Sequence, residues 1–157
     1  MKSKLLFVLC TCFLLLSCSN DDNNGVSLDP ETSISMKING VEYDFQNTGY
    51  GIDLVQGGHK LTLWMMSYDN PYKDIIISLK FKKKGKNVID VISYTSYEEQ
   101  IVDLQSISLT DEVFVNSQNG FKAEFEAVFQ NGEELIIISE GKINVVYDEP
   151  LIDFEIN

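Results

Sequence analysis

The sequence contains no arginine, one histidine and three cysteines among its 157 residues. Every cationic side chain is therefore a lysine, and 24 carboxylates face 12 lysines, for a net charge of −12 at pH 7. A field of that sign repels phosphate backbones. We therefore expect no nucleic-acid partner.

The three cysteines, Cys10, Cys12 and Cys18, all lie near the start of the chain. The remaining sequence has no thiol for a disulfide, so its fold must be stabilised by packing. With His59 as the one histidine, the ligands of a tetrahedral zinc site are also missing. We expect neither a metal nor another cofactor, and no catalytic residue.

The N-terminus has the pattern of an export signal. Lys2 and Lys4 precede an apolar run over residues 5–16, which is shorter than the roughly 20 residues of a membrane-spanning helix. Its length is typical of the apolar part of a signal peptide. Residues 1–17 are therefore predicted to be a signal peptide.

The end of that run, Leu15-Leu16-Ser17-Cys18, resembles the lipobox of bacterial lipoproteins. The resemblance implies that Cys18 is lipidated, that the leader is cut before it, and that acyl chains anchor the protein to a membrane. Two or more chains hold a protein firmly, whereas one binds only marginally. Without the leader, ten lysines and 24 carboxylates give a net charge of −14.

Residues 18–33 are predicted to be the lipidated cysteine and a flexible acidic tether, since they are polar and contain Gly25 and Pro30. Residues 19–22 resemble the export signal of surface lipoproteins in Bacteroidota. This resemblance implies an outer-membrane location, with the folded part facing outward.

The folded part is predicted over 34–157, and its first element is a hairpin. Apolar and polar residues alternate on both sides of Asn39-Gly40, a pair that favours a type I′ turn. A two-residue loop pairs Ile38 with Val41, Met36 with Tyr43 and Ile34 with Phe45, which places the apolar residues on one face.

Alternating runs continue to the end of the chain and predict an all-β fold of about nine strands. An antiparallel sandwich is the first expectation and a barrel the second. Ser96 and Glu99 have capping-box spacing, so one short helix near 96–105 is predicted, with a bulged strand as the alternative. The run over 135–138 is apolar on both faces and predicts a central strand. Gly141 lies where a β-bulge would shift the apolar phase.

This layout of leader, polar tether and the segment ISMKINGVEYDF resembles small outer-membrane or surface lipoproteins of Bacteroidota that carry a β-sandwich domain of unknown function. Those domains open with a similar hairpin and end in a strand like the one over 141–145. The family implies no established activity.

Three aromatic residues form the main candidate binding site. Trp64 is out of phase with its apolar neighbours, and Tyr68 and Tyr72 flank a polar loop. If exposed together, these side chains could stack on a sugar. Burial of Trp64 in a core is the alternative.

The remaining polar clusters are interpreted as solvated. Oxygen ligands for Ca²⁺ occur in two segments, but neither has EF-hand spacing. The lysine run around Gly85 is interpreted as a solvated hairpin tip. Lysines near a strand end also prevent the edge of the sheet from aggregating with the edge of another molecule. The possible calcium ligands are Asp69, Asn70, Asp74, Asp111 and Glu112. The lysines of the run are Lys80, Lys82, Lys83, Lys84 and Lys86.

Taken together, the residues predict a lipid-anchored, non-enzymatic binding or accessory module of the cell envelope, with a glycan or an envelope protein as its partner. A glycan-binding module built on Trp64 and the 68–72 loop is the first alternative. A hydrolase with two facing carboxylates is the second. The ligand and the oligomeric state do not follow from the sequence.

Overall fold

The computed structural model describes residues 26–69 and 72–152, so the leader and Cys18 lie outside the described residues. The described part contains nine strands and no helix, and therefore no helix that could cross a membrane. The strands are β1 (Ser33–Ile38), β2 (Val41–Val55), β3 (Gly58–Ser67), β4 (Lys73–Lys80), β5 (Gly85–Lys86), β6 (Ile89–Ser96), β7 (Ile101–Ser117), β8 (Gly120–Asn131) and β9 (Glu134–Val146).

Eight of these strands close into an antiparallel barrel. Strands β1 to β4 and β6 to β9 each pair with the next of the eight along the chain, β9 pairs back onto β1, and the two-residue β5 adds to β7. The all-β antiparallel prediction is confirmed, and the architecture is the barrel, named second, not the sandwich. Alternation along single strands is the same in both architectures, so only the β9–β1 pairing distinguishes them.

The first hairpin has the predicted register. Ile38 pairs with Val41, Met36 with Tyr43 and Ile34 with Phe45. Asn39 and Gly40 have φ of 49° and 81°, the left-handed conformation that a type I′ turn requires.

The predicted helix near 96–105 is absent. Ser96 ends β6 and pairs with Ile101 at the start of β7, and residues 97–100 form a turn in which Gln100 N donates to Tyr97 O. Asp103 has φ of 51° beside a register shift. The bulged strand, the alternative interpretation, is therefore correct, because pairing with β6 replaces local helical hydrogen bonds.

Strand β9 differs from its prediction in one respect and agrees in another. β9 pairs with both β1 and β8, as the predicted central strand would, but Leu135 and Ile137 are exposed while Ile136 and Ile138 are buried, so only one of its faces is covered. The bulge near Gly141 is confirmed, because Ser35 pairs with Lys142 but Lys37 pairs with Ser139. This extra residue brings Gly141, Ile143 and Val145 to the inner face.

The barrel interior is a single apolar cluster, as expected when eight strands leave just enough room for side chains. Its largest fully buried members come from six strands: Tyr94, Phe121, Phe129, Met36, Leu61, Leu63, Met65, Ile75, Ile77, Leu79, Ile92 and Ile138.

The segment predicted as the end of the tether lies on the barrel. The buried side chain of Asn144 accepts a hydrogen bond from Asp29 N at 3.0 Å and donates to Glu31 O at 2.7 Å. Lys122 Nζ lies 3.0 Å from the Asp29 carboxylate. The part of the chain that contacts the barrel therefore begins before the predicted domain start at residue 34.

Candidate functional site

The two ends of the barrel differ in what covers them. One end, here called the mouth, is surrounded by the β1–β2, β3–β4, β6–β7 and β8–β9 connections. The opposite end is covered by residues 27–32 and by Leu151, whose N donates to Gln118 O. The exposed lysines 82–84 and 86 also lie at that opposite end, as the hairpin-tip interpretation predicted.

The mouth holds a cavity of about 590 Å³. Its lining combines isoleucines of β1, β7 and β9 with Tyr43 of β2 and Lys73 of β4. Its lining residues are Ile38, Asn39, Val41, Tyr43, Lys73, Tyr94, Glu99, Ile101, Asn131, Glu134, Leu135 and Ile136.

Lys73 is the unusual member of this lining. It begins β4, in phase with Ile75, Ile77 and Leu79, which all point into the core, and it is 3% exposed. Its ammonium nitrogen lies 4.5 Å from the centroid of the Tyr43 ring, within range of a cation–π interaction. The barrel therefore places a lysine at an inward-facing position, directly below the rim.

Lys73 was not predicted from the sequence as a site residue. A signal was present, because the lysine stands two residues before Ile75 and so continues the apolar series of β4. Tyr43 was recognised only as an apolar member of the first hairpin.

Tyr94 is the most buried lining residue of the mouth, at 1% exposed. Its ring centroid lies 5.7 Å from that of Phe129 in the core. Burial raises the pKa of Tyr94 to about 12, and the charge of nearby Glu99 also raises it. Its phenol thus stays protonated at neutral pH.

The predicted aromatic residues lie outside the barrel. Trp64, Tyr68 and Tyr72 are 38%, 55% and 50% exposed, and the Tyr68 and Tyr72 rings meet edge to face at 6.2 Å. We call this surface, together with the exposed Tyr97, the aromatic face. Tyr97 was assigned to the predicted helix and was missed as a member of this surface.

Trp64 lies over strand β2 because β2 has glycines there. A Cβ added to Gly49 or Gly51 would lie 3.5 or 3.6 Å from atoms of the Trp64 ring. The absence of side chains at both positions lets the indole cover the strand on one side. The exposed fraction of the ring belongs to the outer surface of the barrel, so Trp64 is not a core residue.

The other candidate residues are dispersed. Asp111, a predicted calcium ligand, is buried and accepts hydrogen bonds from Val88 N at 2.9 Å and Ile89 N at 3.3 Å. Asp74 accepts a hydrogen bond from the Tyr97 hydroxyl at 2.7 Å. Asn70 and Cys18 lie outside the described residues. Across residues 26–69 and 72–152, no group of three His, Cys, Asp or Glu side chains could hold a metal ion.

A second groove, of about 390 Å³, lies on the outer side of β7, β8 and β9, and Glu140 is among its lining residues. Lys37 Nζ contacts the Glu140 carboxylate at 2.6 Å. This contact holds the pKa of Glu140 below its usual range. A general acid in glycoside hydrolysis requires the opposite shift.

Comparisons of the chain with family models, with curated proteins and with solved structures found no match.

Proposed function

We propose that this chain is a lipid-anchored lipoprotein of the cell envelope whose barrel binds a small ligand at the mouth without catalysing a reaction. The observation that carries the binding function is the cavity of about 590 Å³, whose lining combines an inward-facing lysine with isoleucines. Cavities of a few hundred Å³ are typical of small-ligand sites, and the lining of this one combines apolar side chains with polar and charged ones.

The anchor in this proposal rests on the sequence around Cys18. The described chain begins at the barrel end opposite the mouth, where residues 27–32 lie against β9. A membrane anchor attached to that end leaves the mouth on the far side of the barrel. We include in the proposal an outward-facing outer-membrane location and membership of the Bacteroidota surface lipoproteins that the N-terminal segment resembles.

We expect that Cys18→Ala transfers the protein from the membrane fraction to the soluble fraction, or leaves an uncut precursor. The reason is that acyl chains on one sulfur and one amine are the proposed attachment. The measurement is fractionation of cells that express the full chain, with mass spectrometry of the N-terminal peptide. Ser17→Ala, which keeps a small residue before the cysteine, is the matched control and should remain membrane-bound. Retention of the processed Cys18→Ala protein in membranes would contradict the anchor.

A glycan-binding function is the second candidate, and the exposure of Trp64, Tyr68 and Tyr72 on one side of the barrel favours it. Trp64 lies on the outer side of β3, and Tyr68 follows four residues later, just after the strand ends. At the rise of an extended chain, their backbones are roughly 13 Å apart. Flat aromatic side chains at such spacing suit stacking along an extended saccharide.

If the aromatic face binds a glycan, we expect Trp64→Ala to weaken binding about tenfold, which corresponds to about 1.4 kcal/mol. Affinity electrophoresis in gels containing laminarin, xylan or soluble starch measures this change. Ile107→Ala, which removes an exposed apolar side chain from β7, is the control and should migrate as the unmodified protein does. Equal retardation of the Trp64→Ala variant and the unmodified protein would exclude this surface.

A further inference from the structure

A groove between Trp64 and Asp74 is the starting point for a more specific inference. It has a volume of about 280 Å³, and Gly49, Trp64, Met66, Asp74 and Ile76 are among its lining residues. Trp64 pairs with Ile76 and Met66 pairs with Asp74, so Trp64 and Asp74 are diagonal neighbours about 7–8 Å apart. A groove of this size takes one unit of a longer ligand.

The Asp74 carboxylate is held in place but accepts few hydrogen bonds. Asp74 is half-buried, and its Oδ2 accepts a hydrogen bond from the Tyr97 hydroxyl at 2.7 Å. This contact raises the pKa of Tyr97, so the phenol remains the donor at neutral pH. The other oxygen, Oδ1, is shielded from solvent and has no hydrogen-bond partner within residues 26–69 and 72–152. A carboxylate has room for several donors, and a shielded oxygen without one is unusual in a folded protein.

The lysines of the two strands lie far from this carboxylate. Lys60 of β3 and Lys80 of β4 pair with each other, and Lys80 is six residues from Asp74, which corresponds to roughly 20 Å along the strand. That distance exceeds the screening length of roughly 8 Å. Lys73, the residue next to Asp74, is buried towards the interior of the barrel. The groove therefore presents its carboxylate to a ligand without a lysine in the lining.

The surroundings of the groove add negative charge. Thr95 pairs with Asp74, and its Oγ1 accepts a hydrogen bond from Asp103 N at 3.0 Å, so the exposed Asp103 lies beside the same part of β6. Glu98, the residue after Tyr97, is also exposed. A negative field of this kind attracts cationic ligands and repels anionic ones. An ammonium also forms a charge-assisted hydrogen bond with a carboxylate, which is stronger than the bond from a neutral hydroxyl.

We propose that the aromatic face binds an oligosaccharide of cationic amino sugars, with one sugar ring on the Trp64 indole and its ammonium at the Asp74 carboxylate. The indole supplies a stacking surface and also attracts a nearby cation. This inference rests on the glycan-binding candidate and deepens it by naming the ligand class. It is independent of the mouth.

The chitosan tetramer is the probe, and the fully N-acetylated tetramer is its neutral counterpart with the same backbone. Isothermal titration calorimetry uses the full chain as a bacterial host processes it, reconstituted in phosphatidylcholine nanodiscs, with empty nanodiscs as the blank. A mildly acidic buffer keeps the sugar amines protonated. We expect the chitosan tetramer to bind at least about tenfold more tightly than the acetylated tetramer, because a charge-assisted hydrogen bond contributes on this scale.

A substitution at Asp74 tests the charge. Asp74→Asn should lower the affinity for the chitosan tetramer about tenfold and leave the affinity for the acetylated tetramer within about twofold. Glu124→Gln removes the same charge from an exposed position on β8, which β6 and β7 separate from β4, and should have no effect. Circular dichroism and thermal unfolding establish that each variant is folded.

Removing the indole tests the place independently of Asp74. Trp64→Ala should weaken both tetramers about tenfold, because both backbones stack on the same ring. Val41→Trp, which fills the mouth instead, is the control and should bind both tetramers as the unmodified protein does.

The outcomes separate this inference from the glycan-binding candidate. Binding of both tetramers with equal affinity, lost in Trp64→Ala, would overturn the amino-sugar inference and leave the aromatic face as a glycan site. Equal loss of chitosan binding in Asp74→Asn and Glu124→Gln would show attraction by net charge alone and would also overturn it, as would chitosan binding that Trp64→Ala leaves unchanged.

Two further results would count against the inference. Tetralysine that binds at least as tightly as the chitosan tetramer, with the same dependence on Trp64 and Asp74, would assign the groove to a cationic peptide. If neither tetramer binds the unmodified protein, the amino-sugar inference is wrong. If in addition the gels with neutral polysaccharides show no retardation that depends on Trp64, the glycan-binding candidate fails too.

Discussion

Replacing Asp111 by alanine should destabilise the barrel by about 3 kcal/mol, one of the two largest effects that we expect from a single substitution. The Asp111 carboxylate is buried on β7 and accepts hydrogen bonds from Val88 N and Ile89 N, and its backbone oxygen accepts one from Asn87 N. Alanine would leave two backbone N–H groups without their acceptor in a buried place, and each such group costs about 1–3 kcal/mol.

The connection between β4 and β6 depends on this carboxylate. Val88 and Ile89 are core residues that follow the exposed lysine segment, so the hydrogen bonds from their amides set where β6 begins. Urea unfolding followed by circular dichroism measures the loss, which should also lower the melting temperature by about 10 °C.

Glu112→Ala is the matched control for Asp111→Ala. Glu112 is the next residue, and its side chain, 45% exposed, pairs with Lys86 at 4.0 Å on the outer surface. An ion pair of this kind contributes less than about 1 kcal/mol. Equal destabilisation by the two substitutions would show that the buried acceptor role assigned to Asp111 is wrong.

Replacing Gly141 by alanine should destabilise the protein by about 2–3 kcal/mol. A Cβ at this position would lie 2.6 Å from Cε1 and 2.8 Å from the backbone oxygen of Phe125. The ring can move, but the backbone oxygen belongs to the β8–β9 pairing opposite the bulge. The substitution therefore forces either a shift of the strand or a change in the bulge.

A comparison within the chain tests this close approach. Gly49→Ala places its Cβ 3.5 Å from the Trp64 ring, an ordinary contact distance, and should change the unfolding free energy by less than about 1 kcal/mol. Phe125→Leu should restore part of the stability of Gly141→Ala, because it removes the ring contact and not the backbone contact. A Gly141→Ala protein as stable as the unmodified chain would exclude the proposed clash.

Two local features could be predicted from single segments. The pairing of Ile34 with Phe45 followed from Asn39-Gly40, since a two-residue turn sets the register of both strands. The bulge at Gly141 followed from the change of apolar phase within one strand. In each case the determining residues lie within about a dozen positions of one another.

The helix prediction failed for the opposite reason. Ser96 and Glu99 have capping-box spacing, and Tyr97, Ile101 and Leu104 have helical spacing. In the structure, however, Ile101 and Leu104 pair with Ser96 and Tyr94 of β6. Strand pairing within a closed barrel gives the backbone N–H and C=O groups hydrogen-bond partners, as a helix would, and it also buries the side chain of Ile101. Local propensity was therefore overridden by contacts with a strand that the pattern does not identify.

The candidate sites could also be predicted only in part from the sequence. The exposed positions of Trp64, Tyr68 and Tyr72 agree with the condition set for a glycan platform, although Tyr97 joins them only because the β6–β7 turn lies beside the β3–β4 loop. The mouth was not predicted, since its lining comes from seven strands and their turns.

The sequence by itself determined the all-β character, the alternating faces of the strands, the first hairpin and the bulge, because each depends on neighbours along the chain. Only the tertiary structure decided that β9 pairs with β1, and with that closure the choice of barrel over sandwich. Closure also turned Lys73 from one lysine among twelve into a buried residue in the lining of a cavity. The physical reason is that an inward direction exists only once distant strands surround a common interior.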